Sequence, residues 1–158
     1  MRIKSALSVL LAALLSLTIL PAAAYDSAGL DFLQTTSGGA AESFLIDDNG
    51  TLWAWGDNQW GQLGDGTTED RATPVRVLEG VRSVSAGECH TYAVLEDDTL
   101  WAWGRNVSNS LPGSDELVNS LTPIAIMDDV ASASTGVCTH LAVKTDGSLW
   151  SWGWNYYG

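Results

Sequence analysis

The sequence predicts an all-β fold: a partial β-propeller of about two and a half four-stranded blades, following a cleaved signal peptide. Three observations predict it. "LWAWG" at Leu52–Gly56 returns as "LWAWG" at Leu100–Gly104 and as "LWSWG" at Leu149–Gly153. The matching Trp53, Trp101 and Trp150 are spaced by 48 and then 49 residues, and self-similarity at a period of about 20–50 residues marks stacked repeats. Between them lie short β-branched runs bounded by Asp, Asn and Gly, with no helical periodicity.

The leader comes first. Arg2 and Lys4 precede an uncharged apolar run over 7–20, Pro21 breaks it, and three alanines over 22–24 suit a signal peptidase. The run falls short of the roughly 20 apolar residues that cross a bilayer comfortably. Residues 1–24 are therefore read as a signal peptide, 25–38 as a lead-in and 39–158 as repeats. A secreted or cell-surface location is expected, with no membrane contact after cleavage. Removing 24 of 158 residues leaves 134, enough for one modest domain. Two of the seven basic residues go with the leader, so five face 19 acids and the mature charge is −14. Such a surface repels phosphate backbones, which disfavours nucleic acid and suits a cationic partner or plain solubility.

Each repeat has internal order. "PVRVL" (74–78), "VRSVSA" (81–86), "TYAVL" (91–95) and "LWAWG" read as four successive strands. Asp47-Asp48-Asn49-Gly50, Asp97-Asp98 and Asp146-Gly147 supply hairpin turns. Leu52 and Ala54 face one way and Trp53 and Trp55 the other, so both faces are apolar, as in a blade stacked between neighbours. Pro74 recurs as Pro123, Asn58 as Asn106 and Asn155, and "VRSVSAGECHTYAVL" (81–95) as "VASASTGVCTHLAVK" (130–144). A weaker copy, "GAAESFLIDDNGTLWAWG", occupies 39–56.

These residues resemble the repeat of the regulator of chromosome condensation superfamily. The likeness rests on "LWAWGDNQWGQLGDGT", on Pro74 and on "SAGECHTYAVLEDDTLWAWG", and it covers nearly all of 39–158. It implies a seven-bladed type of propeller, of which this chain resembles a truncated, exported, bacterial-type member. There are departures. Asn109-Ser110-Leu111-Pro112 replaces Gly61-Gln62-Leu63-Gly64, so the second loop is expected to turn differently. His140 sits one place later than His90, and Glu42 stands where the first unit would have the histidine.

The tryptophans at strand positions, Trp53, Trp55, Trp101, Trp103, Trp150 and Trp152, are expected to pack between blades rather than form a sugar platform. Trp60 and Trp154 fall outside that pattern. Trp60 lies in a loop, 57–73, longer than the about 12–15 residues usual for structureless connections. Asp57, Asn58, Trp60, Gln62, Asp65, Glu69 and Asp70 of that loop are the candidate binding residues. The acidic turns lack the alternating spacing and closing glutamate of a calcium loop, so no metal and no cofactor are expected. His90 beside Cys89 and Glu88 forms no catalytic set, since neighbours on a strand point to opposite faces. A structural His90 bonded to backbone is expected, and no catalytic residue. Cys89 and Cys138 hold equivalent places in successive units, further apart than the ~7 Å Cα limit of a disulfide unless the axis brings them together. Buried free thiols are the expectation. Asn49-Gly50-Thr51 and Asn106-Val107-Ser108 fit the glycosylation pattern.

The superfamily resemblance implies nuclear guanine-nucleotide exchange factors at one extreme and exported bacterial proteins, including a β-lactamase inhibitor, at the other. The leader points to the second: a non-enzymatic, exported repeat protein that binds another protein through interblade loops. The alternatives are an exchange-factor-like regulator by descent and a secreted carbohydrate-binding or carbohydrate-active protein. The incomplete third unit is read first as a truncated gene product and next as a chain that self-associates to complete a ring.

Overall fold

The computed structural model describes residues 35–39, 41–107, 110–112 and 118–154. The signal peptide, Asn109 and Asn155 lie outside the described residues. Eleven strands fill most of the rest: β1 Thr35–Gly38, β2 Glu42–Ile46, β3 Leu52–Gly56, β4 Arg71–Leu78, β5 Val81–Ala86, β6 His90–Leu95, β7 Leu100–Gly104, β8 Ser120–Met127, β9 Val130–Thr135, β10 Thr139–Lys144 and β11 Leu149–Gly153. They form three antiparallel sheets in the orders β1-β2-β3-β4, β5-β6-β7-β8 and β9-β10-β11. This is the stack of blades that the repeats predict, two of four strands and, among the described residues, one of three.

The sequence repeat and the blade are out of phase. "PVRVL" lies in β4, which closes the first sheet against β3 instead of opening the second. β1 pairs with β2 along its whole length, so the first blade already begins inside the stretch 25–38 taken as a lead-in.

Each strand position has its own chemistry. β4 and β8 are the outer edges of their sheets, where the missing N–H of Pro74 or Pro123 costs no ladder bond. At the same place the register slips: Ala54 pairs Val75 while Gly56 pairs Arg71, and Ala102 pairs Ile124 while Gly104 pairs Ser120. The inner strands β5 and β9 are rich in small Ser and Ala, and they join across the sheets by side-chain bonds. Ala86 N–H donates to Ser37 Oγ at 3.1 Å, and Thr135 N–H donates to the equivalent Ser85 Oγ at 3.1 Å. Each Trp-Gly pair ends with glycine at positive φ (113° at Gly56, 96° at Gly104, 115° at Gly153), and a side chain there would collide with the carbonyl of Ala41, Cys89 or Cys138.

Two apolar cores lie between the sheets. Phe44, Ile46, Leu52 and Ala54 of the first sheet meet Val84, Ala93 and Trp103 of the second. Tyr92, Val94, Leu100 and Ala102 of the second meet Val130 and Ala142 of the third, with Trp152 packed beside them. The strand tryptophans are therefore not equivalent in burial. Trp103 is 0% exposed, Trp53, Trp55, Trp101 and Trp152 are half-buried, and Trp150 is 51% exposed. Trp150 is thus not the packing residue its repeat position suggests. Trp103→Ala is expected to destabilise by about 3–5 kcal/mol, through lost burial and the cavity left behind, whereas Trp150→Ala should cost under about 1 kcal/mol. Urea midpoints of the two variants measure the difference.

Candidate functional site

The β3–β4 loop is held from inside. Asn58 is 0% exposed, and its amide Nδ2 donates to Asp65 Oδ1, Thr67 O and Glu69 O at 3.1 Å each. Its Oδ1 accepts Leu63 N–H at 3.0 Å, and its own N–H donates to Asp70 Oδ1 at 2.9 Å. One buried asparagine thus ties five points of the loop together, four through its side chain and Asp70 through its backbone N–H. Gln62, also 0% exposed, donates from Nε2 to Asp57 Oδ2 at 2.6 Å and accepts Trp60 N–H at 2.9 Å. Burial alone would raise the Asp65 carboxyl, but bonds from Thr67, Arg71 and Asn58 outweigh it and hold the group below its usual range.

The loop is then pinned to the next sheet. The carbonyl of Gln62 accepts Trp103 Nε1–H at 2.8 Å and Thr91 Oγ1–H at 2.9 Å, and Leu63 is buried in the first core. Gly64, at φ 80°, must lack a side chain because a Cβ would sit 2.7 Å from Trp103 Nε1.

Of the seven candidate residues, then, Asn58, Gln62 and Asp65 build the loop instead of presenting themselves. Asp57 is half-buried on Gln62. Glu69 and Asp70 are exposed. Trp60 is half-buried and lies under the guanidinium of Arg105, whose carbon is 4.2 Å from the ring centroid. Arg105 comes from the second sheet, immediately after β7, and sequence reasoning did not single it out. The recurrence of the Trp-Gly step marks it only as the counterpart of Asp57 in the next repeat. Glu88, in the β5–β6 turn, is exposed and precedes Cys89, whose carbonyl accepts Arg105 N–H at 2.8 Å.

The second loop keeps the anchor of the first. Leu111 N–H donates to Asn106 Oδ1 at 3.0 Å and Leu111 is 0% exposed, so this bond survives where Gly-Gln-Leu-Gly gives way to Asn-Ser-Leu-Pro. Asn106 is 3% exposed, which closes its glycosylation pattern to a sugar. The outer tryptophans are tied to their own hairpin turns: Trp53 Nε1–H to Asp47 Oδ2 at 3.0 Å, Trp101 Nε1–H to Thr99 Oγ1 at 2.9 Å, and Trp150 Nε1–H to Ser148 Oγ at 3.2 Å. Asp47, Asp97 and Asp146 accept turn N–H groups, which is the chemistry read from their sequence.

His90 bonds a side chain, not backbone. Its Nε2 lies 2.6 Å from Thr135 Oγ1, and the same hydroxyl lies 2.8 Å from His140 Nδ1. The two imidazoles meet edge-on with centroids 4.7 Å apart, one from each side of the second core. His140 pairs with Trp152 and so takes the place of Thr91, not of His90, whose own counterpart is Thr139. Glu42 holds the His90 place in the first sheet. It is 3% exposed, and burial raises its carboxyl. Cys89 and Cys138 are free and half-buried rather than buried. Burial and the charge of Glu88 raise the Cys89 thiol, so it is a poor nucleophile.

Comparison with known proteins now fits what the geometry shows. Residues 49–94 match the regulator of chromosome condensation (RCC1) repeat, and 81–109 match a second form of it. Together these matches cover residues 49–109 of the chain. It is 50% identical to Protein RCC2 of Homo sapiens over 42 residues, 27% of this chain and 8% of that protein. The fold superposes on human WBSCR16 with a TM-score of 0.72 at 21% identity, covering 79% of this chain and 34% of the other. Prp20p of Saccharomyces cerevisiae, whose structure was reported with its binding properties toward Gsp1p and histones, gives 0.65 at 25% identity over 79% and 34%. The chain thus spans about a third of each of these two solved chains and less than a tenth of RCC2.

The histidine pair is expected to make the fold acid-sensitive. Burial lowers the pKa of His90 from 6.5 to about 4, and burial together with the neighbouring His90 lowers that of His140 to about 4. The unfolded chain therefore binds protons that the folded chain refuses. Stability is full above pH 6.5 and falls as the pH drops toward 4, by on the order of 2 kcal/mol per histidine at pH 5. Asp47 and Asp65, with lowered values, act only below that window, and the raised Glu42 opposes the trend. Urea midpoints between pH 7 and 5 should fall steeply for the wild type. His140→Thr, which restores the residue found at 91, should show roughly half that fall.

Proposed function

We propose that the chain is a non-catalytic, exported repeat module that binds another protein through the loops at one end of its blades. The observation that carries this reading is the Trp60–Arg105 pair, an aromatic and a guanidinium from different sheets stacked at 4.2 Å on a loop fixed by a buried asparagine. Tryptophan and arginine on a rigid support are the residue types that anchor protein interfaces. Exposed Glu69 and Asp70 of the same loop and exposed Glu88 of the β5–β6 turn, on a chain of net charge −12, suit a partner with a basic face and disfavour nucleic acid. The protein-binding behaviour reported for Prp20p supports a protein partner. Among the described residues no group of three His, Cys, Asp or Glu side chains is placed to hold a metal ion.

Export belongs to the same proposal and rests on the leader. The amino terminus of extracytoplasmic protein, read by Edman degradation, should begin at Tyr25. A protein retained in the cytosol with residues 1–24 intact would remove this part of the reading.

Binding is tested by cross-linking the full chain to its surroundings, identifying partners by mass spectrometry, and measuring the affinity of each purified partner. Trp60→Ala and Arg105→Glu should each weaken a genuine partner by about tenfold or more, with the fold intact. Full affinity in both variants would rule this surface out. The RCC1 repeats themselves favour a second reading, an exchange-factor-like regulator, which accelerated nucleotide release from a small GTPase would establish and unchanged release would remove.

A further inference from the structure

The joint between the first two sheets and the joint between the second and third are built alike, with one exchange. Gly39, Gly87 and Gly136 hold the same place in the inner turns: their N–H groups donate to the carbonyls of Glu42, His90 and Thr139 at 3.2, 2.9 and 2.9 Å. Glu42 pairs with Gly56 and His90 with Gly104, so each is the first residue of the strand that follows its turn. Each sends its polar head over its own turn glycine toward the next sheet. A Cβ on Gly87 would lie 2.8 Å from His90 Nε2 and 2.7 Å from the Gly136 carbonyl oxygen. A Cβ on Gly39 would strike Glu42 Oε1 and the Gly87 carbonyl oxygen together.

The hydroxyl that serves His90 is missing from the joint that holds Glu42. His90 Nε2 meets Thr135 Oγ1 at 2.6 Å, and Thr135 is the residue whose N–H donates to Ser85. The residue that donates in the same way to Ser37 is Ala86, which has no hydroxyl. Glu42 is 3% exposed; its Oε2 accepts Ala41 N–H at 3.1 Å, while its Oε1 is buried and meets no donor. Among the described residues no Lys or Arg pairs with this carboxyl. The titratable groups that face it are Asp57 of the β3–β4 loop and Cys89 of the β5–β6 turn, and neither supplies positive charge. An ionised carboxylate would set a bare, buried oxygen against a carbonyl oxygen. That cost falls away when the acid keeps its proton and donates it.

We propose that Glu42 is a neutral acid that donates its proton from Oε1 to the Gly87 carbonyl, and that its ionisation at higher pH loosens the joint between the first two sheets. Burial outweighs the bond from Ala41, and the charge of Asp57 adds to it, so the carboxyl is held above its ordinary range. The folded chain keeps a proton that the unfolded chain releases. The stability this gives is full below the ordinary value of 4.5 and is lost as the pH rises toward the folded value. The joint lies beneath two loop bases: the Ala41 carbonyl accepts Asp57 N–H at 3.1 Å, and the Cys89 carbonyl accepts Arg105 N–H at 2.8 Å. One proton thus fastens the turn that carries the 57–70 loop to the turn that carries Arg105, whether or not these loops bind a partner.

The side-chain carboxyl carbon of Glu42, assigned through the backbone by NMR of the isotope-labelled full chain, reports the proton directly. At pH 6, where an ordinary glutamate is ionised, its chemical shift should be that of a protonated acid, and it should titrate only at higher pH. Ala86→Thr, which supplies the hydroxyl found at 135, should move that midpoint down. Glu42→Gln keeps a donor at the same place, so its urea midpoint should gain on that of the wild type as the pH rises from 5 to 8. An ionised shift at pH 6, a midpoint unmoved by Ala86→Thr, or equal pH dependence of the wild type and Glu42→Gln would each overturn the proposal. The wild-type chemical shift settles the protonation state even where a substituted chain does not fold.

Discussion

The contact on which most of the molecule depends is the indole of Trp103 against the β3–β4 loop. It fills the first core, and its N–H meets the carbonyl of Gln62 at 2.8 Å. That one bond joins the second sheet to a loop of the first, so stacking of the blades and shape of the surface are one event. Thr91 adds a second donor to the same oxygen, and Gly64 leaves the room that the ring needs. The second interface solves the same problem with an extra link. Trp152 Nε1–H donates to Tyr92 Oη at 3.0 Å, and Tyr92 in turn donates to the carbonyl of Ser110. The tyrosine hydroxyl bridges the gap that Trp103 spans alone.

Opposite the loops, the blades are fastened by charge and main chain. Arg82 of β5 reaches Asp98 at 2.5 Å and the carbonyls of Val130 and Ala131 at 3.0 Å each, linking the second and third sheets. Because the arginine is partly exposed, its worth lies more in fixing orientation than in energy. The inner serines perform the same service near the axis. A stack fastened at its inner strands, at its loops and at its hairpin ends has little freedom to shear, which is what a repeat scaffold needs in order to hold a loop residue such as Trp60 in place.

Much of this fold was legible in the sequence, and the failures have physical reasons. The Trp-Gly recurrence and the recurring proline report directly on strand burial and edge position, so blade type and number followed. The phase of the blade did not, because a periodic string has no marked origin; only the pairing of β4 with β3 supplies one. Asn58 and Gln62 were read as surface residues since polar side chains in loops usually are. Their burial depends on the neighbouring sheet closing over them, a contact between residues about forty positions apart. The recurrence of Asn58 as Asn106, at a fixed distance after the tryptophan, was the available sign that this residue holds the loop. Arg105 carried no sign of its own beyond its place in the period.

Thr135 has a last consequence, one of direction. Its hydroxyl carries one hydrogen and stands between two ring nitrogens, 2.6 Å from His90 and 2.8 Å from His140. If it donates to either ring, that ring must carry its own hydrogen on the far nitrogen, where among the described residues no acceptor stands for His90 Nδ1 or His140 Nε2. If it turns instead toward the Gly136 carbonyl at 3.4 Å, both rings donate to the oxygen and both far nitrogens become bare lone pairs. The tautomers of two histidines on different strands are thereby written by the rotation of a single O–H bond.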